Sequence, residues 1–484
     1  MWTLPLLGAW VVLVAGTALA LPAGPEFQVN TDTAGDQGYP AACIDDAGGA
    51  TVAWESLGAD GTSAVRTRRF DAAGVALGGE ATLDALTGGL AQAPAIACAP
   101  DRGYVVAWER RDGDDFDIAA RRVGADGTAS PPVAINATLS GRQRAPAVCT
   151  DVAGNFVVAW QSDGQDGDGY DIVARRFDAT GAPRVDELLV NTTTADAQQH
   201  PAIACGRAGD FVVVWESRGQ DGDGGAIVAR RFAADGTGGD EHLLSTTAAG
   251  DQRLPSIAAL PNDGGFFVAW ESEGQDGDES GIVARRVDAD LTPLDGEIAV
   301  NSVAAYSQEQ PAVAVSGDGI AVAWSSPGDG DGYGIFARRF DGAGGALGPE
   351  ILVNLATAGT QGAVSDEGGG VTAAGNAAGA LLVAWQSLRL RGPQPDGDGL
   401  GIFARAAPAT TCAGDCNGDG SVGIEELVRG VGLAVLDESA ATCAALDANG
   451  DDRIVINELI AAVAAALNGC ANGLTADASR GHRG

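Results

Sequence analysis

Residues 156–181 read FVVAWQSDGQDGDGYDIVARRFDATG. Two short runs rich in Val, Ile and Phe flank a segment of Asp and Gly, and the second run closes on another Asp/Gly turn. β-Branched and aromatic runs bounded by such residues are strand signals. The stretch therefore predicts two strands joined by a tight loop.

The same unit recurs. Trp54, Trp108, Trp160, Trp215, Trp270, Trp324 and Trp385 sit in VAWES, VVAWE, FVVAWQS, FVVVWES, FFVAWES, AVAWSS and LVAWQS, spaced 54, 52, 55, 55, 54 and 61 residues apart. Each is followed by an Asp/Gly loop and a second run, such as AVRTRRF, IVARRF or IFARRF. A shorter run precedes it, as in PAIAC at 94–98 and 201–205, and a fourth follows: EATL, PVAI, ELLVN, EHLL, EIAVN and EILVN. Four strands in about 54 residues match one propeller blade, whereas a solenoid coil takes fewer residues per turn.

Six fourth strands follow the first six units, and the missing copy, EFQVN at 26–30, stands ahead of unit one. The N-terminal strand is thus expected to complete the last blade and close a seven-bladed ring without a raw edge. The expected fold is mainly β, a seven-bladed β-propeller over residues 21–407. The seventh unit departs from the pattern through an insertion at 362–370 and the longer loop LRLRGPQPDGDG.

Composition bounds the function. The chain has 484 residues, 45% of them hydrophobic, and a formal charge of −36, with Arg as its basic residue and no Lys. Such acidity argues against nucleic acid or anionic lipid as partners and suits divalent cations; genome composition explains the Ala, Gly, Asp and Arg excess equally well. Trp2–Leu19 is almost wholly apolar and ends at Ala18-Leu19-Ala20, so residues 1–20 read as a signal peptide. No Lys or Arg precedes the apolar run, which leaves an uncleaved anchor open. No other stretch approaches the roughly 20 apolar residues of a membrane span.

The repeat built on VAWQSxGQDGDGxxIxARRFD resembles a tandem repeat of bacterial secreted and surface proteins, often found near calcium-binding or adhesin modules. The resemblance covers roughly residues 26–407. It implies an extracellular or periplasmic location and a propeller shape, and brings no activity with it.

The Asp/Gly loops have two readings. Asp166 and Asp168, Asp221 and Asp223, and Asp276 and Asp278 offer oxygen ligands on a backbone that curls, as calcium requires. Asp-Gly is also the preferred chemistry of tight hairpin turns, and that reading is favoured. The Arg pairs, such as Arg175 and Arg176, are expected to place one guanidinium between blades, with Glu55, Glu109, Glu216 or Glu271 of the WE motif as its partner.

Eight cysteines suit an oxidising compartment. Cys43 and Cys149 lie 11 residues before their Trp, Cys98 and Cys205 lie 10 before theirs. That one-residue change flips the side chain to the opposite face of the innermost strand. Inter-blade disulfides Cys43–Cys98 and Cys149–Cys205 follow, with free buried thiols as the alternative.

After a linker at 408–414, DCNGDGSVGIEE at 415–426 fits the twelve-residue EF-hand loop, with Asp415, Asn417, Asp419, the Ser421 carbonyl and Glu426 as calcium ligands. DANGDDRIVINE at 447–458 repeats it with Asp447, Asn449, Asp451, the Arg453 carbonyl and Glu458, Asp452 replacing the turn glycine. Each loop leads into an apolar helix. The pair over 415–470 resembles a dockerin-like EF-hand module, a small α-helical domain, which implies Ca2+ binding. Dockerins end the loop with Asp and read cohesin with a Ser/Thr pair, where this chain has Ile424-Glu425 and Ile456-Asn457. A cohesin-like partner therefore does not carry over. Cys412, Cys416, Cys443 and Cys470 are disulfide candidates that staple this small module, and the tail at 471–484 is polar.

Three functional classes remain: a secreted, calcium-stabilised binding or surface-interaction protein for a protein or glycan ligand; a glycan-active hydrolase or lyase using channel carboxylates; and a purely structural protein. No nucleophile elbow or HExxH occurs, and His200, His242 and His482 occupy no repeated position and have no recognisable partner. The balance leans away from an enzyme.

Overall fold

The computed structural model describes residues 25–72, 74–165, 167–261, 264–317, 319–362, 369–388, 399–407, 424–436, 454, 459–460 and 462–463. Seven antiparallel sheets, one per Trp unit, form the β region, numbered here as blades 1 to 7. In blade 3 the strands run Gln143–Thr150, Phe156–Asp163, Tyr170–Phe177 and Leu188–Leu189, from the innermost outward. The register of its central pair sets Trp160 opposite Val173 and Phe156 opposite Phe177.

Alternate side chains of each central strand reach opposite faces, and both faces are dry because a neighbouring blade covers each. One interface joins Val105, Ala107 and Ile118 of blade 2 to Phe156, Val158 and Trp160 of blade 3. The same arrangement runs round the ring to the junction of blade 7 with blade 1, where Leu382 and Ile402 meet Val52 and Trp54. All seven Trp side chains are fully buried. Burying one large side chain contributes about 1.5–3 kcal/mol, so the Trp series is a main source of ring stability.

Blade 7 closes as expected. Glu26–Gln28 pairs with Leu400–Ala407, Phe27 opposite Ala404, and supplies the outer strand. Val29 is fully buried behind it. The inner strand of this blade is split into Thr360–Gln361 and Val371–Gly375; residues 363–368 of the insertion lie outside the described residues.

Disulfides join Cys43 to Cys98 and Cys149 to Cys205, each across 5.5 Å between Cα atoms. The ladder shows the one-residue offset: Cys43 pairs with Thr51, three before its Trp, and Cys98 with Tyr104, four before its own. Each bridge thus links two neighbouring blades.

The propeller belongs to the compact unit Ala20–Thr410, and the C-terminal residues belong to a second unit. There, helix Ile424–Leu436 packs Leu427, Leu433 and Ala434 with Ile454, Leu459 and Ala462. Among the described residues no helix is long and apolar enough to cross a membrane.

Candidate functional site

One backbone device recurs on the innermost strands. Pairing with the second strand slips between Gly38 and Ala41 in blade 1, and at the corresponding point in blades 2 to 6. Each slip is a bulge in which the residue before a proline turns left-handed. Tyr39, Ala93, Ala145, His200, Leu254 and Gln310 have φ between +46° and +56°. Such torsions cost a non-glycine residue about 1–3 kcal/mol and persist only where the surroundings hold them. The following proline has no N–H, so the bulge sacrifices little of the ladder.

The hold comes from the neighbouring blade. At five junctions the residue after the Trp accepts the N–H freed by the bulge of the next blade. Glu109 accepts from Ala145 at 2.8 Å, Gln161 from His200 at 3.0 Å, Glu271 from Gln310 at 3.1 Å, and Gln386 from Tyr39 at 3.0 Å. Glu55 takes the N–H of Ala93 in the same way. At blade 6 the residue is Ser325, whose hydroxyl donates to the Gln361 carbonyl at 3.1 Å.

The bulged residues and their prolines line a central cavity of about 780 Å³ to which all seven blades contribute. The backbone is repeated while the side chains differ: Tyr39, Ala93, Ala145, His200, Leu254 and Gln310. The cavity opens among the Asp/Gly loops, since Arg142, Tyr170 and Arg218 beside those loops also line it.

Buried carboxylates form its support. Glu109, Glu216 and Glu271 are 1–2% exposed. Burial pushes Glu271 up to about 7 against the opposing Arg253, with Glu309 adding to the rise. Burial likewise pushes Glu55 up to about 7, the N–H of Ala93 opposing and Glu109 reinforcing. Glu109 is raised by burial too, less the pull of Ala145 and Arg144. In blade 6, Tyr333 donates to Glu309 at 3.3 Å, and burial with that carboxylate pushes the phenol up to about 12.

The partners of these carboxylates correct two expectations. They are Arg144, Arg253 and Arg218 of the mouth, not the Arg pairs. The first Arg of a pair reaches a backbone carbonyl of the preceding blade: Arg68 to Val29, Arg175 to Ile135 and Arg230 to Val190, at 2.7–2.8 Å. Arg68 pairs in the ladder with Val52, three residues from Glu55, which puts the guanidinium beyond the carboxylate. His200 does have a partner: its Nδ1 lies 3.1 Å from Glu216 Oε2. His200 also occupies a repeated position after all, the residue before proline that recurs at 39, 93, 145, 200, 254 and 310, a series hidden in the sequence because its side chains differ.

The Asp/Gly loops are braces. Asp168 accepts from the Asp196 N–H at 3.2 Å, Asp223 from Gly250 at 3.4 Å and Asp278 from Tyr306 at 3.0 Å, each in the segment entering the next blade. Asp221 and Asp276 accept within their own loops at 3.3 Å, and Asp276 also takes Asn301 at 2.8 Å. Gly222, at φ 103°, supplies a torsion closed to most side chains. Among the described residues no three acidic, His or Cys groups converge as a metal set. Asp166 lies outside the described residues. So do the side chains of Asp415, Asn417, Asp419, Ser421, Glu426, Asp447, Asn449, Asp451, Arg453 and Glu458, and Cys412, Cys416, Cys443 and Cys470.

No protein-family profile matches the sequence, and no curated protein matches it. Among solved structures, the BP39L lectin from Burkholderia pseudomallei aligns with a TM-score of 0.52 at 13% identity, over 77% of this chain and 98% of the lectin. A protein of unknown function from Dyadobacter fermentans gives 0.47 at 14% identity, over 66% and 94%. The endo-arabinase from Bacteroides thetaiotaomicron gives 0.33 at 13%, over 53% and 96%. The lectin likeness is one of fold, and with the closed ring of sheets it makes the main body of this chain a seven-bladed β-propeller.

Proposed function

We propose that this is a secreted, calcium-binding protein whose propeller is a binding scaffold, with its ligand held at the cavity mouth. The observation that carries the reading is the bulge series: six strained backbones of one form, five of them braced from the neighbouring blade, present five kinds of side chain to one cavity. A scaffold that varies side chains on a fixed frame is suited to recognition. A lectin of similar fold supports a glycan among candidate ligands.

The test is a glycan and peptide array probed with the full chain and with the double variant Arg142→Ala/His200→Ala. Loss of at least tenfold in affinity for a bound ligand is expected. Retention of full binding by the variant places recognition elsewhere and overturns the reading.

The C-terminal loops supply the calcium, one ion each through Asp415 to Glu426 and Asp447 to Glu458, and stabilise or dock the chain. Titration calorimetry checks this: Glu426→Gln/Glu458→Gln should abolish calcium uptake, and uptake that survives assigns it to the Asp/Gly loops. A second reading, glycan hydrolysis, draws on Glu309. This carboxylate stands where blades 1 to 5 have Gly38, Gln92, Arg144, Gln199 and Arg253, so it is an acid peculiar to one blade. Release of sugars from a bound glycan, lost in Glu309→Gln, would favour it.

A further inference from the structure

The cavity mouth is chemically lopsided. Blades 3, 4 and 5 bring Arg142, Arg144, Arg218 and Arg253 to its wall. In a chain of net charge −36, four guanidinium groups on one arc of a cavity need an explanation. Their protein partners are Asp163 at 3.6 Å, Glu109 at 3.4 Å, Glu216 at 3.4 Å and Glu271 at 2.8 Å.

Tight charge-assisted bonds between such groups run to roughly 2.7–2.9 Å. Of these four ion pairs only Arg253–Glu271 falls in that range, and Arg144 also lies over the Phe116 ring at 5.2 Å. Arg142 and Arg218 keep 55% and 49% of their side chains exposed, whereas Glu109 and Glu216 behind the arc keep 3% and 2%. Buried Glu109 and Glu216 thus stand behind, and the half-exposed guanidinium groups of Arg142 and Arg218 stand in front. A planar carboxylate entering the cavity meets forks able to bind it in bidentate fashion.

The rest of the lining suits a sugar ring. Tyr39 and Tyr170 offer flat faces and the prolines an apolar floor, while Gln92 and Gln199, whose Nε2 groups donate to Glu109 and Glu216, add amide oxygens to the wall. Sites of this kind combine apolar walls with a few placed polar groups.

We infer that the arc of Arg142, Arg144, Arg218 and Arg253 binds the carboxylate of an acidic saccharide, a uronate-bearing glycan, in the propeller cavity. This rests on the cavity being the ligand site. Because the whole chain is anionic, it repels such a ligand at long range, and recognition is by contact within the mouth.

The probe is an oligogalacturonate, with its methyl ester as a neutral control of the same shape and an oligoglutamate of equal charge as a peptide control. Calorimetry with the full chain should show the acid bound at least tenfold more tightly than either control. Arg142→Gln/Arg218→Gln, both exposed positions, should remove that preference without lowering the melting temperature. Equal binding of acid and ester, both weakened by His200→Ala, overturns the carboxylate assignment and leaves the cavity as the site. Equal binding of oligoglutamate overturns the saccharide. Binding indifferent to all these variants, or no binding by any probe, overturns both the inference and the cavity reading for glycans.

Discussion

Two sets of glutamates join blade to blade, and they behave in opposite ways. At the mouth, burial pushes Glu55 and Glu271 up to about 7 and raises Glu109. At the outer rim, the Glu heading every fourth strand except that of blade 2 accepts amides just beyond the fourth strand of the preceding blade. Glu241 takes the N–H of Thr192, the N–H of Thr193 at 3.2 Å and the Thr193 hydroxyl at 2.9 Å. Burial raises Glu241 as well, but its donors more than offset that and leave it lowered; Glu80 and Glu297 are lowered for the same reason. Residue type and role are the same, so the difference lies in how far burial outweighs the donors. Rim glutamates are half-buried with three or four donors, whereas Glu109 and Glu271 are almost sealed, and Glu109 is raised although it too has three donors.

The hardest way to break the comparison is to remove a rim staple together with its strand. Deleting residues 25–30 takes away Glu26, which accepts from Leu355 at 2.6 Å, and the buried Val29. A loss of several kcal/mol is expected, seen as a large fall in the denaturant midpoint. An unchanged midpoint would mean that the ring does not depend on its closing strand. Next in size is reduction of Cys43–Cys98 or Cys149–Cys205, about 2–4 kcal/mol each. Hydrogen exchange should rise first at the 1–2 and 3–4 junctions rather than evenly round the ring.

A rim change alone, Glu241→Ala, strands the Thr192 and Thr193 amides and should cost about 1–3 kcal/mol. The smallest and sharpest effect is in pH. A group raised in the fold binds protons that the unfolded chain has released, so stability falls as pH rises from about 4.5 to about 7 through Glu55 and Glu271. The lowered rim groups lose their contribution only as pH falls below the ordinary carboxylate range. Melting temperature should therefore peak in mild acid. Glu55→Gln should flatten the mouth limb, raising the melting temperature at pH 8 and leaving it unchanged near pH 5. Gln161 and Gln386 already do this job with a neutral amide. An equal shift at both pH values would show that Glu55 carries no titration penalty.

Much of this was legible in the sequence. The Trp spacing gave the blades, EFQVN gave the closure, and an 11-against-10 count gave two disulfides, because strand alternation converts counting into facing. The mouth was not legible. A residue before proline ordinarily takes the extended region, so nothing in Tyr39-Pro40 or His200-Pro201 announces a left-handed torsion. Its partner stands in the previous blade, 39 residues away for Gln161 and His200, beyond any local pattern. The Arg pairs misled for a related reason: opposite charges in neighbouring strands suggest pairing, but backbone carbonyls were nearer.

The closing strand has a kinetic consequence. Phe27 is among the first residues of the propeller to be made, and its ladder partner Ala404 among the last. Until that partner arrives, blade 7 presents an open edge and the chain carries a spare strand that fits it. Two such chains at high concentration can close each other's rings, so strand exchange between molecules is the misassembly expected when crowding outweighs the tethered strand's own effective concentration. Short loops and dilute refolding would favour the monomer; crowding during synthesis would favour linked rings.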